Sequence, residues 1–256
     1  MAMSPDYQVL KGEFNGVKIK SFYLSGNEAP AKEASQDVAA LMKFYSERFG
    51  PYPYEEFSIA PVYLGYGGEQ MSNMIFIDTR VYQLPKNLMR YFDFLVSHET
   101  GHQWFYNLVG TDEFTHIWME EGVNSFFLQE YLEAKYGRDA SPLELPKSLQ
   151  WLLPNFSFRQ ARDVRYKMIA RTNLDHPIVG ELSSFNEPSS IFSLTYGKGS
   201  AVLSMLRHLM GDEVFTRVFR RVFEEVRFKN LSQENFHTRN PWVLNFAGAR
   251  PVFDGR

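Results

Sequence analysis

The sequence predicts an α+β chain: a small β-rich part over about residues 1–80, then a mainly helical part over about 81–235. Two observations carry this. Short runs of alternating or β-branched apolar residues cluster in the first third of the chain, whereas apolar residues at helical spacing dominate the rest. Glycine and proline punctuate both patterns at the places where such elements should end.

Taken in order, Tyr7-Gln8-Val9-Leu10 and Val17-Lys18-Ile19-Lys20-Ser21-Phe22-Tyr23 alternate like half-buried strands, and Asn15-Gly16 between them signals a turn. Ala31 to Phe49 places Val38, Leu41, Met42, Tyr45 and Phe49 on one helical stripe and stops at Gly50-Pro51. Phe57 to Leu64 and Met74 to Ile77 read as strands. Between them Gly65-Tyr66-Gly67-Gly68-Glu69-Gln70-Met71 reads as a loop whose backbone turns sharply or approaches something closely. Asp78 to Pro85 is a further loop. A helix is expected from near Pro85 to about Val109, ending at Gly110, with Leu88, Phe92, Leu95, Val96, Phe105 and Leu108 as its apolar face. Another is expected from about Glu121 to Tyr136, closed by Gly137, with Phe126, Phe127, Tyr131 and Leu132 packing. Ala140 to Asn186 reads as loops and helix fragments, with Trp151, Phe156 and Phe158 as core. Helices follow over Tyr196 to Met210 and Asp212 to Val226, the second with Val214, Phe215, Val218, Phe219 and Val222 inward. The stretch 236–256 has no clear period and is left unassigned.

Composition narrows the function. A chain of 256 residues that is 44 % hydrophobic and 16 % aromatic can bury a substantial core. A formal net charge of −3 gives no basic footprint for nucleic acid. The absence of cysteine rules out disulfides and thiolate metal sites. No signal peptide and no apolar run of about 18 residues is evident. Both a cytoplasmic and a cell-envelope setting fit.

Within the first long helix stands Val96-Ser97-His98-Glu99-Thr100-Gly101-His102-Gln103-Trp104-Phe105, which contains H-E-x-x-H. Positions i and i+4 share a helical face, so His98 and His102 can aim two imidazole nitrogens at one point. Glu99, about 100° further round, is better placed to hold a water than to bind an ion. This is the zinc-peptidase arrangement of two histidine ligands and a glutamate base. A catalytic zinc site also needs a third protein ligand and one open position. The run Gln103-Trp104-Phe105-Tyr106-Asn107-Leu108 lacks the extra histidine of a metzincin. Trp118-Met119-Glu120-Glu121-Gly122 offers two carboxylates; Glu121 follows His102 after 18 intervening residues, enough for a loop and the start of a second helix. His116, His208 and His237 read as surface or packing residues, and His176, before Pro177, as structural.

In these segments the chain resembles the catalytic domain of the gluzincin zinc aminopeptidases, the aminopeptidase N and leukotriene-hydrolase type. Phe49-Gly50-Pro51-Tyr52-Pro53-Tyr54 is similar to the family's F-G-x-Y-P-Y, and His98 to Val109 to its H-E-x-x-H-Q-W-F-G-N-x-V. Trp118 to Gly122 is similar to W-L-N-E-G, with Glu120 in place of the asparagine. Asp175-His176-Pro177-Ile178 is similar to an H-P-I step, and Tyr196-Gly197-Lys198-Gly199 with the leucines that follow to Y-x-K-G-x-x-x-L-x-x-L. The resemblance runs from about residue 31 to 235.

It implies a thermolysin-like fold with a small mixed sheet and a helical part, together forming one catalytic domain over 1–235. It implies one zinc ion per chain on His98, His102 and Glu121, Glu99 as general base, and Tyr196 as donor to the oxyanion. Glu69, with Gly67 and Gly68 beside it, would contact the substrate and bind its free α-amine. Here Tyr66-Gly67-Gly68-Glu69-Gln70 keeps the glutamate of the family's G-x-M-E-N but replaces its first glycine, its methionine and its asparagine. The substrate would be a peptide, added as a strand at the edge around Met74 to Phe76. The flanking β-sandwich and helical domains of a larger parent would be the missing partners, so the isolated domain would be weakly active. The alternatives are a thermolysin-like endopeptidase and a non-catalytic scaffold of the same family. A lipid-epoxide hydrolase activity finds no specific support.

Overall fold

The computed structural model describes residues 4–144, 148, 151, 156–172, 174–178, 185 and 187–232. The chain is α+β and divides into two compact units, Met1–Trp104 with Tyr131–Phe158, and Phe105–Glu130 with Arg159–Arg256. The tail 236–256 and His237 lie outside the described residues. No helix among the described residues is long and apolar enough to cross a membrane.

The first unit is built on a mixed sheet. Strands β1 (Gln8–Phe14) and β2 (Val17–Tyr23) form an antiparallel hairpin through Asn15-Gly16, both at positive φ as a tight two-residue turn requires. Strand β3 (Glu56–Val62) runs parallel to β2, and β5 (Met74–Asp78) parallel to β3. The loop expected at 65–71 contains a further strand, β4 (Gly68–Met71), antiparallel to β5. The order is β1-β2-β3-β5-β4. Met74 to Phe76 is therefore an interior strand with partners on both sides, and the outer strand beside it is β4. The proposed edge around Met74 to Phe76 is corrected on that ground. The glycines hid β4, because its run is too short and too polar to alternate visibly.

Helix α1 (Glu28–Phe49) lies against the hairpin, with Val38, Leu41, Met42 and Tyr45 fully buried. Helix α2 (Met89–Gly101) packs on α1 and on β4 and β5. It is shorter than the apolar pattern suggests. After Gly101 the backbone bonds tighten, Gln103 N–H to Thr100 O and Trp104 N–H to Gly101 O, and Tyr106 takes a φ of 129°. The apolar residues beyond, Phe105 and Leu108, are buried, but from non-helical backbone, and Val109–Gly110 is the short strand β6. Burial, not helical period, fixed their apolar character.

Helix α3 (Ile117–Tyr136) starts four residues before Glu121 and ends at Gly137, whose φ is 95°. In the first unit its last turn carries Lys135, whose Nζ donates to Asp37 Oδ1 of α1 at 2.6 Å and to Asp93 Oδ2 of α2 at 2.7 Å. Ser97 Oγ donates to the other Asp93 oxygen at 2.9 Å. Asp93 is fully buried. Trp151 and Phe156, expected in the core, are instead 80 % and 44 % exposed.

The second unit is helical around stacked phenylalanines. Helices α4 (Phe158–Ala170), α5 (Pro188–Phe192), α6 (Gly199–Met210) and α7 (Asp212–Val226) follow, and β7 (Lys229–Asn230) pairs with β6. Phe215, Val218, Phe219, Val222, Phe223 and Val226 form the buried face of α7, and Phe127 meets Phe219 edge-on at 5.0 Å. The helix expected from Tyr196 begins at Gly199; Ser193–Lys198 before it is one wider π-helical turn.

The Asp37 carboxyl is pushed up to about 8, by burial first and by the Asp93 charge second. An acid whose folded pKa is raised contributes stability that is fully present below its unfolded value near 3.8 and is lost as pH rises through about 8. Asp37→Asn should therefore gain stability relative to the native chain between pH 5 and pH 9 in urea unfolding. A difference constant across that range would contradict the burial of this charge.

Candidate metal and catalytic centre

The candidate centre begins with α2, where His98, Glu99 and His102 are 7 %, 5 % and 1 % exposed. Thr100 Oγ1 donates back to Val96 O at 2.7 Å, and Phe94 stacks on the His98 ring at 6.1 Å between centroids. His102 is the cap residue just after the end of α2, with φ −62° and ψ −12°, so the one-turn spacing survives although the helix ends at Gly101. The two rings stand edge to face, and their Nε2 atoms are 3.3 Å apart.

That distance is a direct test of the donor set. Two imidazole nitrogens about 2.0–2.1 Å from a tetrahedral zinc are held about 3.3–3.4 Å apart. The histidine pair fits zinc on spacing and on chemistry. In the first unit His98 and His102 each offer one ligand nitrogen, and in the second unit Glu121 offers a carboxylate oxygen.

Glu121 is oriented within the second unit. Gly122, its neighbour, lets α3 touch the start of α6, since a Cβ there would meet Thr195 O at 2.9 Å and Gly199 Cα at 3.0 Å. This approach brings the Tyr196 hydroxyl to Glu121, to which it donates at 2.6 Å on Oε1. Lys198, from the same turn, reaches Asp175 Oδ1 at 2.7 Å and His176 O at 2.8 Å. His176 therefore contributes its backbone here. Glu120 accepts from Thr111 Oγ1 at 3.3 Å.

In the first unit, β4 lies over α2. Glu69, on that strand, accepts from the Tyr66 hydroxyl at 2.8 Å, a bond that raises the tyrosine's pKa. Asp78 secures the loop leading in. Its carboxylate, 1 % exposed, accepts from the N–H groups of Leu64 at 3.1 Å and Gly65 at 2.8 Å and from the Arg80 guanidinium, which holds it well below the usual carboxylate range. Gln103 secures the far end: its Nε2 donates to Met71 O at 2.9 Å, and its Oε1 accepts from Asn73 N–H at 3.0 Å.

Reading the sequence missed Tyr66, Asp78 and Gln103 as organisers of this region. Only Gln103 left a signal, a polar amide directly after His102 in an otherwise apolar run.

Residues 34–241 match the peptidase family M1 domain. Aminopeptidase M1 of Arabidopsis thaliana is 25 % identical over 244 residues, which is 92 % of this chain and 26 % of that protein. Aminopeptidase M1-A of Oryza sativa subsp. japonica is 25 % identical over 230 residues, 86 % of this chain and 24 % of that protein. Human glutamyl aminopeptidase is 30 % identical over 143 residues, 56 % of this chain and 14 % of that protein. The chain thus spans about a quarter or less of the length of these relatives. With the family domain covering most of its residues and the histidine pair set as described, the chain belongs to peptidase family M1.

Proposed function

We propose that this chain is the catalytic domain of a zinc-dependent aminopeptidase that removes N-terminal residues from peptides. Residues 1–235 would constitute that thermolysin-like domain, and the larger parent protein would supply flanking domains. The observation that carries the reading is the buried pair His98 and His102, Nε2 atoms 3.3 Å apart, with Glu99 beside them on the same helix.

In this reading His98, His102 and Glu121 hold one zinc ion. When bound, zinc supplies a Lewis acid that polarises a scissile carbonyl and makes a water acidic near neutral pH. Glu99 accepts the proton of the attacking water and passes it to the departing amine. The Tyr196 hydroxyl, a donor at neutral pH, turns from Glu121 to the developing oxyanion. Glu69 binds the substrate ammonium through a charge-assisted hydrogen bond, and Tyr66 holds one of its oxygens. Strand β4 is outermost in its sheet among the described residues, so Gly68, with Gly67 just before it, stands on the edge to which an extended peptide would add.

Glu99→Gln keeps the ligands but removes the base. It should lower kcat by about 10²–10⁴-fold while zinc content by metal analysis stays at one per chain; undiminished hydrolysis would remove Glu99 from the mechanism. Tyr196→Phe should lower kcat by about 10²–10³-fold with KM little changed, and a variant with native kcat would leave the oxyanion without this donor. Peptides with a free α-amine should be cut and N-acetylated ones ignored. Losing a charged contact worth about 1.5–3 kcal/mol, Glu69→Gln should raise KM on the order of ten- to a hundredfold. Cleavage of blocked peptides at equal rate would instead indicate an endopeptidase.

A further inference from the structure

We propose that Gly68 is a positioning residue for Glu99, and that the space left by its absent side chain is the seat in which the carboxylate rests. The proposal depends on the reading of Glu99 as general base and assigns a residue that controls it. A Cβ at Gly68 would lie 2.7 Å from Glu99 Cγ, 2.9 Å from Oε1 and 3.0 Å from Cδ. All three nearest atoms belong to that one side chain.

The glycine is not needed for its backbone. Gly68 is absent from the residues at positive φ, so alanine is conformationally allowed there. What glycine provides is room. Nor can β4 retreat to make room for a methyl group. At its start, Asp78 N–H holds Gly67 O at 2.9 Å, while the Asp78 carboxylate fixes Leu64 and Gly65. At its end, Gln103 holds Met71 O. The strand is also bonded to β5 along its length. Glu99 is the movable partner, and at 5 % exposure it has little space to move into without leaving its present position.

Close approach alone is not the point, because Gly12 shows the same crowding elsewhere: a Cβ there would lie 2.9 Å from Ser35 Oγ. Gly12→Ala is therefore the control for a methyl group pressed into a tight contact away from the centre.

The test is the crystal structure and kinetics of Gly68→Ala beside Gly12→Ala. Gly68→Ala should show the Glu99 carboxylate displaced with β4 in place, and kcat should fall on the order of ten- to a hundredfold, as misplacement of a catalytic group does. The thermal midpoint should match that of the Gly12→Ala chain, whose kcat should be native. Glu99→Asp, one methylene shorter, should cost less in the Gly68→Ala background than in the native one. If Gly68→Ala fails to fold, the double variant should fold, because it returns the space. An unmoved Glu99 with native kcat, a shift of β4 in place of the side chain, or a double variant that also fails to fold would each overturn the proposal. The displacement of Glu99 is read whether or not the native chain cleaves peptides, so loss of the peptidase reading and loss of this one are separate results.

Discussion

Three ionisable side chains within five residues of a buried helix set the terms for the surrounding structure. An imidazole or carboxylate taken out of water loses several kcal/mol of hydration unless it finds a partner. His98 and His102 face each other through ring nitrogens 3.3 Å apart, a spacing suited to two ligands of one cation. A divalent ion would meet the demand of both rings at once. It would also explain why polar side chains occupy the apolar face of α2.

The supports around α2 follow from the need to hold that turn still. Lys135 ties α1 and α2 through Asp37 and Asp93, and Ser97, next to His98, uses the remaining oxygen of Asp93. Gln103, next to His102, fastens the β4–β5 turn. Residues flanking the histidine pair thus carry contacts that fix its surroundings. In the second unit the same logic recurs on a smaller scale: the glycine contact between α3 and α6 sets Tyr196 on Glu121.

Much of this was legible before any coordinate. The alternation in Val17–Tyr23, the stop at Gly50 and the stripe of Asp212–Val226 each return at the expected boundaries, because in each case local preference and burial agree. The histidine pair was legible for the same reason, since one turn of helix suffices to bring i and i+4 together. The end of α2 was not, because Phe105 and Leu108 are buried from irregular backbone and an apolar pattern does not distinguish the two cases. Strand β4 was hidden by its glycines, and those glycines make sense only with Leu95 and Glu99 in view. Trp151 and Phe156 were assigned to the core on size alone, and both are exposed. Tertiary facts of this kind, in which one residue is chosen by another distant in sequence, leave no local periodicity to read.

The shared ion is tested most directly by X-ray diffraction at the zinc absorption edge, on crystals of the chain loaded with zinc. One anomalous peak is expected about 2.0–2.2 Å from His98 Nε2, His102 Nε2 and a Glu121 carboxylate oxygen. A zinc-loaded crystal with no peak there, or with its peak on other side chains, would contradict the account.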